Sequence, residues 1–334
     1  MHQPGAVLAA TAIAALAISA APGPATAGDN DLVLGRLANV VEENGTPVRA
    51  VGQNLELRSL VSELGVALAP RLLTPSDTLG WGGFQFSADM AWTSITPDAT
   101  WWRARRGSPS PDAAMAPARH GDGQLPTLGV FARKGIWFPI PSLELGAGAV
   151  HLLDSRLWTA QGYVKLAVVE GYHDLPVPSV AVRGGVSRLL GQKELDLTIV
   201  SLDASVSKHI GIGGTWGLDP FAGWNMLIMV PRSEVIDPTP DIDPLDPGNV
   251  SDRMLNFVFK DQDDIVRQRF FVGAKLQYYV FQFTLEADLA LKGSSVDERA
   301  GDMACALGST TSNCDSTDQA GSQTTITVSA GLDF

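Results

Sequence analysis

Long stretches of the chain alternate between apolar and polar residues, and this period of two restricts the possible folds more than any other feature. In the segment FQFTLEADLALK (281–292), every second residue from Phe281 is apolar, and most of the residues between them are polar. The segment FQFSADMAW (84–92) repeats the pattern. Successive side chains of a β-strand point to opposite faces, so each segment predicts a strand with one apolar and one polar face.

The alternating segments run to about ten residues or more, which is roughly twice the usual length of a strand in a soluble protein. A strand that crosses a membrane needs about that length. In segment 194–209 the alternation changes phase, which predicts a β-bulge near Ile199 and Val200 that keeps both apolar sets on one face. Ten strands are predicted: 82–95, 125–137, 142–153, 157–171, 177–190, 194–209, 215–230, 265–279, 281–293 and 322–333.

The connections between these strands differ in length. Three are long, at 96–124, 231–264 and 294–321, and the others are short. When the strands are counted alternately up and down, all three long connections fall at the same end. Transmembrane barrels have this asymmetry, with short turns at one end and longer loops at the other.

The chain before the first predicted strand has two parts. Residues 1–27 fit a cleaved secretory signal, with an apolar stretch at 6–20 and the small-residue pattern ATA at 25–27, although a buried helix is an alternative. In residues 28–81, apolar residues at helical spacing predict a short amphipathic helix at about 55–65, which plugs the lumen or lies beneath it. Alternatively, residues 28–81 supply two further strands.

With the signal, the alternating strands, the one-sided loops and a final phenylalanine, the chain resembles Gram-negative outer-membrane β-barrel proteins of the porin-like class over residues 82–334. The resemblance implies an all-β fold, a single antiparallel transmembrane barrel of ten strands, or twelve in the alternative. It also implies location in the outer membrane, with lipid and the barrel-assembly machinery as partners. In that class the last strand carries an assembly signal, which here implies Val328, Ala330, Leu332 and Phe334.

If the apolar face of the barrel meets lipid, the polar face lines the lumen. Charges of both signs then form either a selectivity or binding region in a narrow channel, or a set of ion pairs that fills the interior. A twelve-stranded barrel would give small solutes an easier path. The predicted lumen-lining residues are Asp89, Arg133, Glu144, Lys165, Arg183, Asp219, Arg269, Lys275, Glu286 and Asp288.

Two loop regions raise separate predictions. In an exported protein, Cys305 and Cys314 are expected to form one disulfide that closes a small loop, with two unpaired thiols as the alternative. Carboxylates at Asp241, Asp243 and Asp246 could hold calcium, but their spacing does not match an EF-hand, so a solvated acidic loop is the preferred interpretation. No cofactor is predicted.

The function is less constrained than the fold. A net charge of −12 and the lack of a Lys/Arg run argue against nucleic acid as a partner. His151 lies near Asp154 and Ser155 in sequence, but this spacing matches no hydrolase motif, so we expect no enzyme activity. The leading hypothesis is a porin-like or transport channel for small solutes or lipophilic compounds. The alternative is a closed structural or surface-interaction barrel that acts through its long outer loops. A hydrolase at the barrel rim is the third hypothesis.

Overall fold

The computed structural model describes residues 28–44, 46–108, 123–136, 142–171, 177–237, 255–297 and 317–334. The predicted signal (1–27), both cysteines (Cys305 and Cys314) and the three candidate calcium ligands (Asp241, Asp243 and Asp246) lie outside these residues. Within these ranges, no helix is long and apolar enough to cross a membrane.

Ten long antiparallel strands form one closed sheet, which confirms the predicted barrel and its strand number. In space the order is β3–β4–β5–β6–β7–β8–β10–β11–β12–β13, and β13 returns to β3. A short strand, β9, pairs with β10 beyond the end of β8. The bounds are β3 Phe84–Ser94, β4 Gln124–Ile136, β5 Leu143–Leu152, β6 Trp158–Val169, β7 Ser179–Leu190, β8 Leu195–Ser207, β9 Ile210–Ile212, β10 Trp216–Ser233, β11 Ile265–Tyr278, β12 Phe281–Ala290 and β13 Gln323–Asp333.

The first and last strands close the barrel. Leu332 pairs with Phe86, and Val328 with Met90, in continuous antiparallel register. Phe84 and Phe334 extend the seam by exchanging backbone hydrogen bonds of 2.9 and 2.8 Å between amide nitrogen and carbonyl oxygen. Closure gives each of the ten long strands a partner on both sides, which is the condition for a sheet to span a bilayer.

The barrel wall has inverted polarity. Apolar side chains point outward along every strand; Val272 is 60% exposed and Phe283 is 47% exposed. Charged and hydroxyl side chains alternate with them and are buried inside, as on β12, where Thr284, Glu286 and Asp288 point inward. Such a wall is stable against hydrocarbon but not against water.

The two ends of the barrel differ. We call the end where β3 stops at Ser94 and β4 starts at Gln124 the loop end, because all three long connections lie there. The opposite end, where β11 and β12 are joined directly after Tyr278, is the turn end. The chain enters the barrel at the turn end, at Phe84.

The segment before the barrel forms a hairpin and a helix. Strands β1 (Ala38–Glu43) and β2 (Thr46–Gly52) pair as a separate two-stranded sheet, so the twelve-stranded alternative is wrong. Helix α1 runs over Asn54–Ala67, about one residue earlier and two residues later than the expected helix. It contacts β3, β10, β11 and β13, so it lies in the lumen at the loop end rather than beneath the barrel.

The expected bulge in β8 is wrong. The strand pairs in unbroken register with β7 and with β10 through Ile199 and Val200. Leu197 and Ile199 point into the barrel, whereas Leu202 and Ala204 point outward. The two apolar sets lie on opposite faces because the lumen is apolar at the loop end, where α1 packs against it.

The lumen as the candidate functional site

Helix α1 fills the loop half of the lumen with an apolar core. Leu60 and Leu64 are completely buried, in one cluster with Leu197, Leu227 and inward-facing residues of other strands. The fit is close at Gly65, where a Cβ atom would collide with the side chain of Met229 on β10. A larger residue at this position would require either the helix or the flexible side chain of Met229 to shift.

The polar side of α1 binds the long loops. One oxygen of Glu63 accepts hydrogen bonds from the indole nitrogen of Trp102 at 2.6 Å and the amide of Thr96 at 3.0 Å. Its other oxygen accepts from the amide of Gly321 at 3.1 Å. These three donors and the nearby positive charge of Arg267 stabilise the buried carboxylate. Glu63 therefore ties the loop after β3 to the loop before β13.

Arg58 and Ser62 continue this network. The Arg58 guanidinium donates to the carbonyl of Asp263 at 2.7 Å and to the hydroxyl of Ser295 at 3.0 Å. Ser62 donates to Asp318 at 2.5 Å, and burial raises the pKa of that aspartate. Together with Glu63, these contacts join α1 to described parts of all three long connections.

Residues 68–81, which we call the lumen segment, descend from α1 to the turn end. Arg71 forms the main ion pair, with 3.0 Å between its Nε and Oδ1 of Asp89, and both side chains are buried. Its guanidinium also donates to Thr127, and its amide donates to Gln161 at 3.2 Å. The segment is therefore held from three different strands.

Positive charges on the wall bind carbonyl oxygens of the lumen segment. Lys165 donates to Pro75 at 3.1 Å and to Asp77 at 2.8 Å. Arg183 donates to the carbonyl of Leu72 at 2.7 Å. Carbonyl groups of an irregular backbone need hydrogen-bond donors where they are buried, and these cations supply them.

Hydroxyl and carboxylate groups bind the rest of the segment. The amide of Ser76 donates to Ser207 at 2.9 Å, and its hydroxyl donates to Ser205 at 2.9 Å. Nearer the turn end, the hydroxyl of Thr78 donates to Glu170 at 2.6 Å. The lumen segment is thus bonded along its length to the wall.

The structure places all ten predicted lumen-lining residues inside the barrel, where each is buried. It brings Lys165 within 3.1 Å of Glu144, and Arg183 within 2.9 Å of Asp203. Glu286 interacts electrostatically with Asp288 and with the arginines at 71, 183 and 269. The other pairings are looser or involve neutral groups: Arg133 donates to Gln85, Arg269 donates to Asn225, and Lys275 lies 3.7 Å from Asp219.

Sequence reasoning missed Arg71 and Gln161. Arg71 lies in a stretch, APRLLTPSD (69–77), without helical or strand periodicity, so no pattern indicated where its side chain points. Gln161 is an inward residue of β6, and its amide donates to the carbonyls of Leu68 and Ala69 at 3.2 and 3.1 Å. Its position on the polar face of a predicted strand could have identified Gln161 as a lumen residue.

Three residues of the proposed assembly signal lie on the outer face of β13, and Phe334 directly follows the strand. Val328 and Leu332 are half-buried, and Ala330 and Phe334 are exposed. Val328, Ala330 and Leu332 therefore lie on the face that would meet lipid, next to the closing seam.

A cavity of about 760 Å³ opens at the turn end, below the lumen segment. Asp219 lies in its wall, with Oδ1 at 2.6 Å from Nδ1 of His209 and Oδ2 at 3.7 Å from Nζ of Lys275. Lys275 is also 3.7 Å from Asp333. Within the described part of the chain, no group of three His, Cys, Asp or Glu residues is arranged to hold a metal ion.

The contacts of His151 lie at the loop end of β5 and β6. Its ring stacks on Trp158, with 4.2 Å between centroids, and its Nδ1 lies 3.1 Å from the carbonyl of Leu157. Ser155 donates its hydroxyl to the carbonyl of Leu152 at 2.7 Å. These contacts stabilise the β5–β6 turn.

No protein-family model matches the chain, and the search of curated proteins found no significant match. Similar solved structures include the outer membrane protease OmpT from Escherichia coli, at 9% identity over 76% of this chain and 96% of that one, with a TM-score of 0.30. LpxR from Salmonella typhimurium is 10% identical over 73% and 99%, with a TM-score of 0.31. The Acinetobacter baumannii outer membrane protein Omp33 is 8% identical over 77% and 99%, with a TM-score of 0.25.

Similarities this weak carry no argument about activity. The class rests on the coordinates themselves: a closed sheet of long strands, an apolar outer wall, a polar wall around the lumen and long loops at one end. The chain is a transmembrane β-barrel of the outer-membrane type.

Proposed function

We propose that this protein is a closed outer-membrane barrel that acts as a structural or surface-interaction protein through its loop end. The observation that supports this proposal is the course of residues 54–81, which cross the lumen from the loop end to the turn end. A ten-stranded barrel is little wider than an eight-stranded one, whose interior is filled by side chains alone. A helix and an extended segment leave little room for a solute.

The contacts of the luminal charges agree with a closed barrel. Lys165 and Arg183 donate to carbonyls of the lumen segment, and Asp89 is paired with Arg71 of that segment. Such groups are not available to coordinate passing ions without breaking buried hydrogen bonds. At the loop end, the apolar cluster around α1 adds a layer that hydrated solutes would cross only at high cost.

At the loop end, helix α1 holds the long connections in fixed positions. Helix α1 holds described parts of the three long connections through Glu63, Arg58 and Ser62. In our orientation this surface faces the outside of the cell, and the turn end faces the periplasm, since outer-membrane barrels have their long loops outside. A rigid support beneath long loops fits a role in contact with partners at the cell surface.

The remaining predictions belong to the same proposal. We place the protein in the outer membrane of a Gram-negative bacterium, exported by its signal, with lipid around the wall and the assembly machinery reading the last strand. We propose no enzymatic activity, and the contacts of His151 with Trp158 and Leu157 support this view. If a hydrolytic activity were found and His151→Ala abolished it, the proposal would be wrong.

Planar-bilayer recording tests the closed state. We expect wild-type protein, folded in detergent and inserted in the bilayer, to show no steady conductance. A variant that lacks residues 28–81 should conduct ions, because it empties the lumen while keeping every barrel strand. Arg188→Ala is the matched control, since Arg188 is paired with Asp196 on the exposed wall and should leave the bilayer silent. Wild-type conductance equal to that of the deletion variant would contradict the proposal.

A transport barrel, porin-like when its lumen segment moves aside, is the second candidate. The cavity at the turn end favours it, because charged side chains such as Glu144, Lys165 and Asp219 line its wall. In this case, a solute should raise the conductance of the wild-type protein, and Arg183→Gln or Glu286→Gln should change it. Deletion of an outer loop separates the candidates: it should abolish surface binding without altering permeability for a closed barrel.

A further inference from the structure

Two neighbouring carboxyl side chains on β12 have no part in the proposed loop-end function. Glu286 and Asp288, which we call the acidic pair, both point into the lumen and are 2% and 5% exposed. A side-chain hydrogen bond joins them. Two carboxyl groups can form such a bond only when one of them is protonated, because an ionised carboxylate has acceptors and no donor.

The outer oxygens of the acidic pair have no partner among the described residues. Oε2 of Glu286 and Oδ1 of Asp288 are both buried and accept no hydrogen bond. Arg269 on the adjacent strand β11 faces the pair, but its hydrogen bonds go to neutral acceptors. It donates to the side chain of Asn225 at 2.9 Å and to the carbonyl of Pro70 at 3.3 Å.

The charges around the acidic pair do not balance if both of its members are ionised. The arginines that face it are Arg71 from the lumen segment, Arg183 from β7 and Arg269 from β11. Arg71 lies 3.0 Å from Asp89, and Arg183 lies 2.9 Å from Asp203. Three positive charges would therefore face four negative ones. Two adjacent buried carboxylates repel each other, and one proton on the pair removes the excess charge.

The next charged groups along the lumen have partners of their own. Toward the turn end, Lys165 lies 3.1 Å from Glu144. Toward the loop end, Arg267 faces Glu63 and Asp318. Beside the pair, the inward side chains of β13 are hydroxyl groups, which carry no charge. The excess negative charge therefore belongs to the acidic pair.

The arginines that face the acidic pair also hold the lumen segment. Arg269 donates to the carbonyl of Pro70, and Arg183 donates to the carbonyl of Leu72 at 2.7 Å. Arg71 belongs to the segment itself. A second negative charge on the pair would attract these guanidinium groups and compete with the carbonyl oxygens for them. The charge of the pair is thereby linked to the position of the lumen segment.

We propose that the acidic pair holds one proton at neutral pH and that this proton keeps the lumen segment bound to the wall. The second part rests on the proposed function, because the lumen segment is what closes the barrel. When the pair gives up its proton to the solvent at alkaline pH, the arginines turn toward two carboxylates and release the carbonyls of Pro70 and Leu72. The segment then loosens, and ions can pass.

Infrared spectroscopy of the folded barrel tests the proton directly, because a protonated carboxyl group has a carbonyl band that a carboxylate lacks. Isolated carboxyl groups have pKa values of about 4 and are ionised at neutral pH. We expect a carboxylic-acid band in the wild type at neutral pH that disappears at alkaline pH. Glu286→Gln and Asp288→Asn should each remove it, since the single remaining carboxylate faces Arg269.

Asp196→Asn, an exposed aspartate paired with Arg188 on the outer wall, is the matched control and should keep the band. Heat-modifiable gel mobility reports whether each variant is folded, and either variant of the pair suffices for the assignment. A wild-type spectrum without a band that these variants remove would overturn the proposal.

Planar-bilayer recording tests the release of the lumen segment. The wild type should be silent at neutral pH and conduct at alkaline pH, whereas Glu286→Gln should stay silent at both, because glutamine remains neutral and can donate to Asp288. A wild type that conducts equally at both pH values would overturn the closed barrel together with the release. A wild type that is silent at both, or Glu286→Gln that opens like the wild type, would overturn the release alone.

Discussion

The two halves of the lumen are built on opposite principles. In the loop half, α1 and the wall meet through leucines, as in the core of a soluble protein. In the turn half, the lumen segment meets the wall through ion pairs and hydrogen bonds. A barrel in lipid needs an apolar outer face, but the polarity of its interior depends on what occupies it.

Strand β8 displays both principles on one face. Leu195, Leu197 and Ile199 point inward in the loop half, and Ser201 and Asp203 point inward in the turn half. The change occurs where α1 gives way to the lumen segment. The inward side chains of a transmembrane strand are therefore polar or apolar according to what fills the lumen beside them. They are not always polar.

The strongest test of the polar half is Arg71→Ala. It leaves Asp89 buried without its cation, and breaking a buried pair in this way costs roughly 3–5 kcal/mol of folding free energy. Urea unfolding in lipid vesicles, followed by tryptophan fluorescence, measures the loss. Arg188→Ala, whose side chain is 56% exposed beside Asp196, is the control and should cost about 0–1 kcal/mol. Equal losses would mean that the polar half is solvated rather than packed.

The matching test of the apolar half is Leu64→Ala. Leu64 is completely buried in the α1 cluster, so its truncation should cost about 2–5 kcal/mol. Leu202→Ala on the outer face of β8 is the control, because that residue is 46% exposed and lies on the face that would meet lipid. The same unfolding experiment compares them. If Leu64→Ala were no worse than Leu202→Ala, α1 would rest in the lumen without packing there.

A smaller effect should follow from Ser76→Ala, which removes one neutral hydrogen bond to Ser205. We expect a loss of about 1 kcal/mol. The double variant with Ser205→Ala should cost little more than either single change, because both partners of the bond are then absent. Strictly additive losses would show that the two hydroxyls do not depend on each other.

The smallest effect concerns pH. Burial raises the pKa of Asp318, so the folded protein binds this proton more readily than the unfolded chain. The contribution of Asp318 to stability is therefore complete below the unfolded pKa and is lost as pH rises through the folded pKa. Asp318→Asn should remove that part of the dependence in unfolding midpoints measured across this interval. An unchanged pH profile would contradict the assignment.

Much of the barrel could be predicted from the sequence, because lipid leaves few alternatives. Strand β12 was expected at 281–293 and runs over Phe281–Ala290; β13 was expected at 322–333 and runs over Gln323–Asp333. A period of two, strands of membrane-crossing length and the need to pair every edge lead to one closed sheet. The pairing of β13 with β3 follows from the same requirement.

The site was less predictable. Alternation indicated that Lys165 and Arg183 face the lumen, but not that they bind carbonyls of Pro75 and Leu72. The prediction of a bulge in β8 was wrong because it assumed that the whole interior of the barrel is polar. The partners are far apart in sequence, and a local pattern holds no information about them.

The sequence by itself determined the wall of this protein: its strands, its closure and its one-sided loops, because each follows from local periodicity and from the absence of water in a bilayer. Only the tertiary structure decided what fills that wall. The apolar face of α1 was compatible with a position inside the barrel or beneath it. Residues 68–81 have neither helical nor strand periodicity, so no local pattern predicted their course. Their positions depend on which inward side chains ten strands bring together in three dimensions, and that is a property of register and not of any one segment.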